Sequence, residues 1–310
     1  MTPAPDSTAA TAAPSPATSH TVAPPYRPLA ACLWMAGSIG GFCLVAVAGR
    51  ALKPHLDTFE IMLYRSIVGL VVVVLAATLT GSLSQITWRH FPLQLTRNLV
   101  HFIGQNLWLF ALTLIPLAQL FALEFFYPLL VALSAPLLLG ERLTPTRIAA
   151  ALIGFLGILI VARPFGAAGL SIGLLAALAC AFGFAGAAIL TKKLTRLVTI
   201  PCILFWLTLL QAVMGFVCAA SDGHVAWPAL AAMPWVLLIG LAGLGAHFSL
   251  TKALSLAPAS LVVPMDFLRL PLIALIGAAF YNEALDIWVL IGGATIFAAN
   301  YMNIRADSRA

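Results

Sequence analysis

Asn98, His101, Gln105 and Trp108 recur at i, i+3, i+7 and i+10, a spacing that puts four hydrogen-bonding side chains on one face of a helix. The segment around them is apolar, so the stripe suits reversible binding of a small polar molecule. The ionisable residues buried in other apolar runs are few: Arg65, Glu124, His247, Lys252, Asp266 and Arg269. Each costs roughly 2.5–3.5 kcal/mol at the centre of a membrane helix on insertion scales, so it faces a protein interior or a cavity and holds a partner. Asp266 and Arg269 lie three residues apart and can neutralise each other on one helix face. Glu124 either meets a basic group or carries a proton, and both readings stay open. Arg65 is expected as a clamp on a carbonyl or an acid more than as a contact to substrate.

Those residues divide into two candidate sets. His101, Gln105, Trp108, Tyr127, His247 and Trp34 would line a substrate cavity, while Arg65, Glu124, Asp266 and Arg269 would form an ion or charge network. No HExxH, CxxC, GxSxG or phosphate-binding loop is present, and no carboxylate pair is spaced for hydrolysis. The reading is therefore not an enzyme, with no metal and no cofactor. The five cysteines (Cys32, Cys43, Cys180, Cys202, Cys218) sit inside apolar runs as small buried hydrophobes. A membrane enzyme or lipid-handling protein would need a nucleophile, metal cluster or acid pair near the interface, and none is found.

The elements that must position these residues follow from composition. Apolar residues make up 62% of the 310 positions and charged residues 8%, against about 25% charged in a soluble domain. Lipid is the solvent for most of the chain. Ten apolar runs are long enough to cross a bilayer as helices: 29–49, 58–80, 95–115, 117–139, 146–162, 170–191, 200–220, 231–251, 259–281 and 286–304. A transmembrane barrel would alternate polar and apolar residues, which this sequence does not do. The net charge of +6 is a topology signal with no nucleic-acid partner behind it. Eleven basic residues, among them Arg89, Arg97, Lys192 and Lys193, fall on the cytoplasmic side, against Arg50, Lys53 and Arg163 outside.

The chain is also a duplication. An offset of 142 carries Ala111-Leu112-Thr113-Leu114-Ile115-Pro116 onto Ala253-Leu254-Ser255-Leu256-Ala257-Pro258, Gly41 onto Gly183, Glu124 onto Asp266 and Gln105 onto His247. Five helices per half is odd, so the second copy inserts upside down, the architecture of carriers that alternate between two mirror-related states. The expected fold class is an all-α membrane protein: ten transmembrane helices as two inverted five-helix repeats, both termini cytoplasmic. Residues 1–28 form a disordered cytoplasmic tail, 29–162 the first repeat, 170–305 the second, and 306–310 a short tail. Small residues such as Gly37, Gly41, Gly183, Gly154, Gly157, Gly292 and Gly293 mark helix contacts. Pro128 and Pro136 in one half and Pro264 and Pro271 in the other are candidate hinges that interrupt equivalent helices. Asp57, Thr199, Thr144 and Asp286 are expected helix N-caps.

Two motifs repeated at the offset, Ala111 to Pro116 with Gly140-Glu141-Arg142-Leu143, and Ala253 to Pro258 with Asn282-Glu283-Ala284-Leu285, resemble the EamA family of the drug/metabolite transporter superfamily over residues 29–305. Arg65 near the start of the second helix also resembles the family pattern. Asn282 departs from the usual glycine. Within the family the chain is most similar to YddG-type exporters of aromatic and other hydrophobic amino acids. The resemblance implies a multi-pass protein of the bacterial inner membrane and a monomer-sized basket around a central cavity. It also implies export of a small amphipathic molecule, with neutral or aromatic amino acids the first expectation. Nucleosides, organic acids and cationic compounds are the alternatives.

Overall fold

Two of the apolar runs are interrupted near their middles, and these breaks shape the architecture. The computed structural model describes residues 27–139, 145–163, 170–258, 262–284 and 286–307, and among them every regular element is helical. The expected N-terminal tail is almost wholly outside the described residues, as are the turn at 140–144 with its Thr144 cap and the last residues of the C-terminal tail.

The chain runs α1 (Pro28–Leu52), α2 (Thr58–Leu79), α3 (Phe91–Ala111), α4 (Leu117–Glu124), α5 (Tyr127–Leu139) and α6 (Pro145–Ala162). The second half continues as α7 (Ile172–Leu194), α8 (Ile200–Ala219), α9 (Met233–Leu256), α10 (Arg269–Tyr281) and α11 (Ile287–Asp307). Local chemistry sets several starts. Asp57 accepts from the Glu60 amide at 2.7 Å while Glu60 accepts from the Asp57 amide at 2.9 Å, a reciprocal capping box for α2. Asp286 accepts from the Trp288 amide, as expected for a cap on α11. Thr199 holds the N-cap position of α8 without a side-chain bond.

Segments Leu29–Leu52, Thr58–Leu79, Ile172–Leu194, Ile200–Ala219 and Leu230–Leu256 are long and apolar enough to cross a membrane, and shorter apolar helices complete the bundle. Exposed Val71, Leu75, Phe182, Phe216, Val217 and Phe280 cover its outside, which suits lipid and not water.

Packing shows the duplication in three dimensions. α2 and α8 are equivalent at the 142-residue offset and lie antiparallel, Leu63 against Gly215 and Gly69 against Thr208. α6 and α11 are likewise equivalent and antiparallel, Gly154 near Ala299 and Gly157 against Gly292. The second half is thus turned over relative to the first. α1 packs on α9 in the same way that α7 packs on α3. A Cβ on Gly41 would stand 2.8 Å from the Ala246 Cβ and 2.9 Å from the Ala242 carbonyl oxygen. One on Gly183 would stand 2.8 Å from both the Gly104 Cα and the Val100 carbonyl oxygen. Only a hydrogen fits at either place.

The ends of the bundle repeat the pattern. Arg50, in the last turn of α1, donates to the carbonyls of Leu112 and Ile115 beyond α3, at 3.0 and 3.2 Å. Lys192, its equivalent on α7, donates to Leu254 and Ala257 at 2.6 and 2.8 Å. These are carbonyls without intrahelical partners, and a cation there also favours the negative end of the helix dipole. Arg50 is further ion-paired with Glu283, whose second oxygen accepts from the Leu117 amide at the start of α4. Lys192 was expected as a loop charge on the cytoplasmic side; it is 5% exposed and caps a helix.

The interruptions sit at equivalent points. α4 ends at Glu124 and α5 begins at Tyr127, with a turn at Phe125–Phe126. In the second half Val263–Leu268 forms a 3-10 helix before α10 begins at Arg269. Pro128 is buried just after the first break, the Pro264 backbone lies inside the 3-10 segment, and Pro271 is exposed in the first turn of α10. Pro136 lies within α5, whose helix continues through it. Three of the four prolines thus flank the breaks.

Candidate substrate cavity

The breaks in the two helices place Glu124, Tyr127, Asp266 and Arg269 around one central space. That cavity has an empty volume of about 660 Å³, including the part open at its mouth. α1 contributes Phe42, α3 contributes Arg97, His101, Gln105 and Trp108, and α7 contributes Phe184 and Thr191. α9 adds His247, Leu250 and Thr251. Both halves therefore build it.

One wall is an ion triad. The Arg269 Nη2 donates to Glu124 Oε1 and to Asp266 Oδ2, each at 2.6 Å. The Trp108 indole donates to Glu124 Oε2 at 2.7 Å, and the Tyr127 hydroxyl donates to Asp266 Oδ2 at 3.2 Å. All three charged groups are 3% exposed. The guanidinium also lies over the rings of Phe42, Phe121 and Phe125, at 5.1, 4.7 and 5.4 Å from their centroids. A buried pair this dry needs such extra partners to offset desolvation. The open question about Glu124 is answered in geometry: it pairs with a base from the other half. Asp266 and Arg269 do bond to each other, but they also tie the two breaks together.

The opposite wall is basic. Arg97 donates from Nε to Thr191 Oγ1 and from Nη1 to Asn98 Oδ1, both at 3.0 Å. The His101 and His247 rings meet edge-on at 4.9 Å between centroids. Beyond His247 a second, smaller pocket holds Arg65, Ser66, Thr208 and Gln211. Arg65 reaches it because α9 has Gly243 there: a Cβ would stand 2.7 Å from the Arg65 Nε.

The expected residues sort clearly. His101, Gln105, Trp108, Tyr127, His247, Glu124, Asp266 and Arg269 line the main cavity. Among the described residues Arg65 lines the smaller pocket and clamps neither a carbonyl nor an acid; its one bond there is to the Met62 sulfur at 3.5 Å. Trp34 does not reach the cavity, since its ring packs edge-on against Phe248 on α9, 5.3 Å away. Pro128 and Pro271 line neither pocket.

Arg97 is the main residue the sequence reading misplaced. It was expected as a cytoplasmic topology charge, yet it is 3% exposed and faces the cavity. The signal was there, since Arg97, His101, Gln105 and Trp108 share one helix face at i, i+4, i+8 and i+11. Phe42 and Phe184, equivalent at the offset, both line the cavity and were legible only as marks of the repeat.

Comparison with known proteins adds independent findings. The EamA-like transporter family matches residues 29–163 and again 171–305. A riboflavin transporter of Rhizobium johnstonii is 33% identical over 222 residues, 72% of each chain. An S-adenosylmethionine uptake transporter of Rickettsia bellii is 26% identical over 279 residues, 88% of this chain and 94% of that one. A pseudopaline exporter of Pseudomonas aeruginosa is 26% identical over 259 residues, 83% of this chain and 90% of that one. A solved crystal structure shares the fold with a TM-score of 0.66 at 21% identity, covering 88% of this chain and 96% of the other.

Proposed function

The chain belongs to the EamA-like transporter family, and on that premise we propose that it is a secondary carrier for a ring-bearing metabolite other than a free amino acid. It is a multi-pass protein of the bacterial inner membrane, and its relatives move small molecules. Ten crossings, repeats at 29–162 and 170–305, and cytoplasmic termini complete the reading, in keeping with the apolar runs and the charge bias.

The observation that carries the proposal is a single cavity lined from both inverted halves. A site on the pseudo-two-fold axis can open to one side when one set of inter-half contacts loosens and to the other when its mirror set does. The Arg50–Glu283 ion pair at one end is one such inter-half contact. Among the described residues no group of three or more His, Cys, Asp or Glu side chains is placed to hold a metal ion, so polar and ionic contacts to the cargo carry recognition.

The expectation of neutral or aromatic amino acids finds no support among the relatives, which are named for riboflavin, S-adenosylmethionine and pseudopaline. The alternative of other metabolites fits better. Phe42, Phe184 and Trp108 line the cavity and offer rings on which a fused-ring or nucleoside cargo can stack.

Counterflow in liposomes holding the purified protein tests this, with riboflavin, S-adenosylmethionine, adenosine and tryptophan scanned as trans substrates. Exchange of one of the larger three with little exchange of tryptophan is expected. Exchange confined to tryptophan would return the cargo to the amino acids and overturn this reading.

A further inference from the structure

We infer that the cargo carries a carboxylate, bound at the wall formed by Arg97, His101 and His247 with Arg65 behind them, so that the neutral riboflavin of related carriers is not this chain's substrate. The inference rests on the central cavity being the transport site.

The argument starts from the three buried arginines, which are not in the same condition. Arg269 meets two carboxylates at 2.6 Å. Arg97 meets only the neutral oxygens of Thr191 and Asn98, and Arg65 only a thioether. Among the described residues neither has an acidic group within ion-pair distance, although they are 3% and 7% exposed. They also lie within electrostatic range of each other, which adds repulsion to the cost of burial. Taking one charge out of water costs several kcal/mol unless something compensates it. An arrangement of two such charges with no counter-ion is stable only as half of a site.

The groups between them point the same way. The Nδ1 of His101 and the Nε2 of His247 are buried without a hydrogen-bond partner. A carboxylate entering beside them gives the free edge of the Arg97 fork a planar, two-oxygen acceptor, the geometry guanidinium matches best. A hydroxyl or ring carbonyl of a neutral flavin satisfies a donor and leaves the charge uncompensated.

The facing wall complements the opposite charge. Glu124 and Asp266 share one guanidinium, and the Asp266 Oδ1 is buried and unbonded. That oxygen is placed to accept from an ammonium or to face a sulfonium. A molecule with a carboxylate at one end, a cation at the other and a ring between meets both walls at once. Amino-acid-bearing nucleosides have that layout.

The test uses the purified full-length protein and three probes: S-adenosylmethionine, its decarboxylated analogue and riboflavin. Counterflow and thermal stabilisation should both favour S-adenosylmethionine over the decarboxylated analogue by at least tenfold in apparent affinity, with riboflavin weaker still. Arg97→Gln should erase the preference, and Arg97→Lys should retain part of it, because the charge survives while the two-donor fork does not. If Arg97→Gln fails to fold, the two adenosyl probes on the unmodified protein decide alone. Equal binding of those two, or exchange of riboflavin above both, would overturn the carboxylate while leaving the carrier standing. No exchange of any probe by folded protein would instead sink the proposed substrate class, and the carboxylate with it.

Discussion

Arg50 and Lys192 stand at equivalent positions in the two halves and make the same contacts, each donating to two carbonyls at the end of a neighbouring helix. Gly41 and Gly183 agree as closely, each admitting the backbone of the helix that crosses it. Around the cavity Phe42 and Phe184, Gln105 and His247, and Glu124 and Asp266 keep equivalent places, but the agreement is partial. Arg65, Arg97, His101 and Trp108 have Leu207, Ile239, Gly243 and Leu250 as their counterparts, and Tyr127 faces the space where its equivalent is Arg269. The difference separates two demands. Exchange between states open to opposite sides needs equivalent packing at both ends, while a single asymmetric cargo needs walls of different chemistry.

The sharpest way to break that comparison is to neutralise an arginine from each class. Arg269→Gln leaves two carboxylates buried around a neutral amide and should cost about 3–5 kcal/mol of stability, read as a lowered melting temperature in detergent. Adding Glu124→Gln and Asp266→Asn should recover most of that loss, since no unpaired charge then remains. Arg65→Gln should do the opposite: it removes a charge that has no counter-ion, so stability holds or rises while transport falls. Equal destabilisation by Arg65→Gln and Arg269→Gln would show that Arg65 has a structural partner and belongs with the scaffold.

Next in size are the glycine crossings. Gly41→Ala and Gly183→Ala each force a methyl onto backbone and small side chains that have nowhere to retreat, an overpacking cost of about 1–3 kcal/mol. Because the two crossings are equivalent, the losses should match, and the double variant should lose their sum. A large loss at one and none at the other would mean the halves are not packed alike.

The scaffold was legible because duplication writes it twice. The offset relating Ala111–Pro116 to Ala253–Pro258, together with an odd number of apolar runs per half, leads directly to inverted packing. Glu124 and Asp266 were legible as a symmetric acid pair, and the cavity brings them to one guanidinium. Arg97 was harder because nothing repeats it, its counterpart being Ile239. Arg97 looks like any basic residue near a helix start, and only three-dimensional packing shows it pointing inward. Trp34 has the right type for a cavity wall, but which face of α1 meets α9 decides its place, and an apolar helix with small residues on several sides does not announce that face.

Trp108 gives the finest test, because it serves both demands. Its ring forms part of the cavity wall and meets Phe121 edge-on at 5.7 Å, while its indole nitrogen donates to Glu124 Oε2. Trp108→Phe keeps an aromatic wall and removes the donor, so one oxygen of a buried carboxylate loses a charge-assisted bond worth about 1.5–3 kcal/mol. Arg269 still neutralises Glu124, and a water reaching the space left by the smaller ring offsets part of the loss. The net destabilisation should therefore be near the lower end, about 1.5 kcal/mol. Leu250, the counterpart in the second half, lines the same cavity without a polar atom, so Leu250→Phe perturbs wall shape alone. If Trp108→Phe lowers stability and Leu250→Phe changes only the apparent affinity for cargo, the indole is part of the ion network. If both change affinity and neither changes stability, Trp108 is a wall residue like its counterpart, and the asymmetry between the halves begins only at the charged groups.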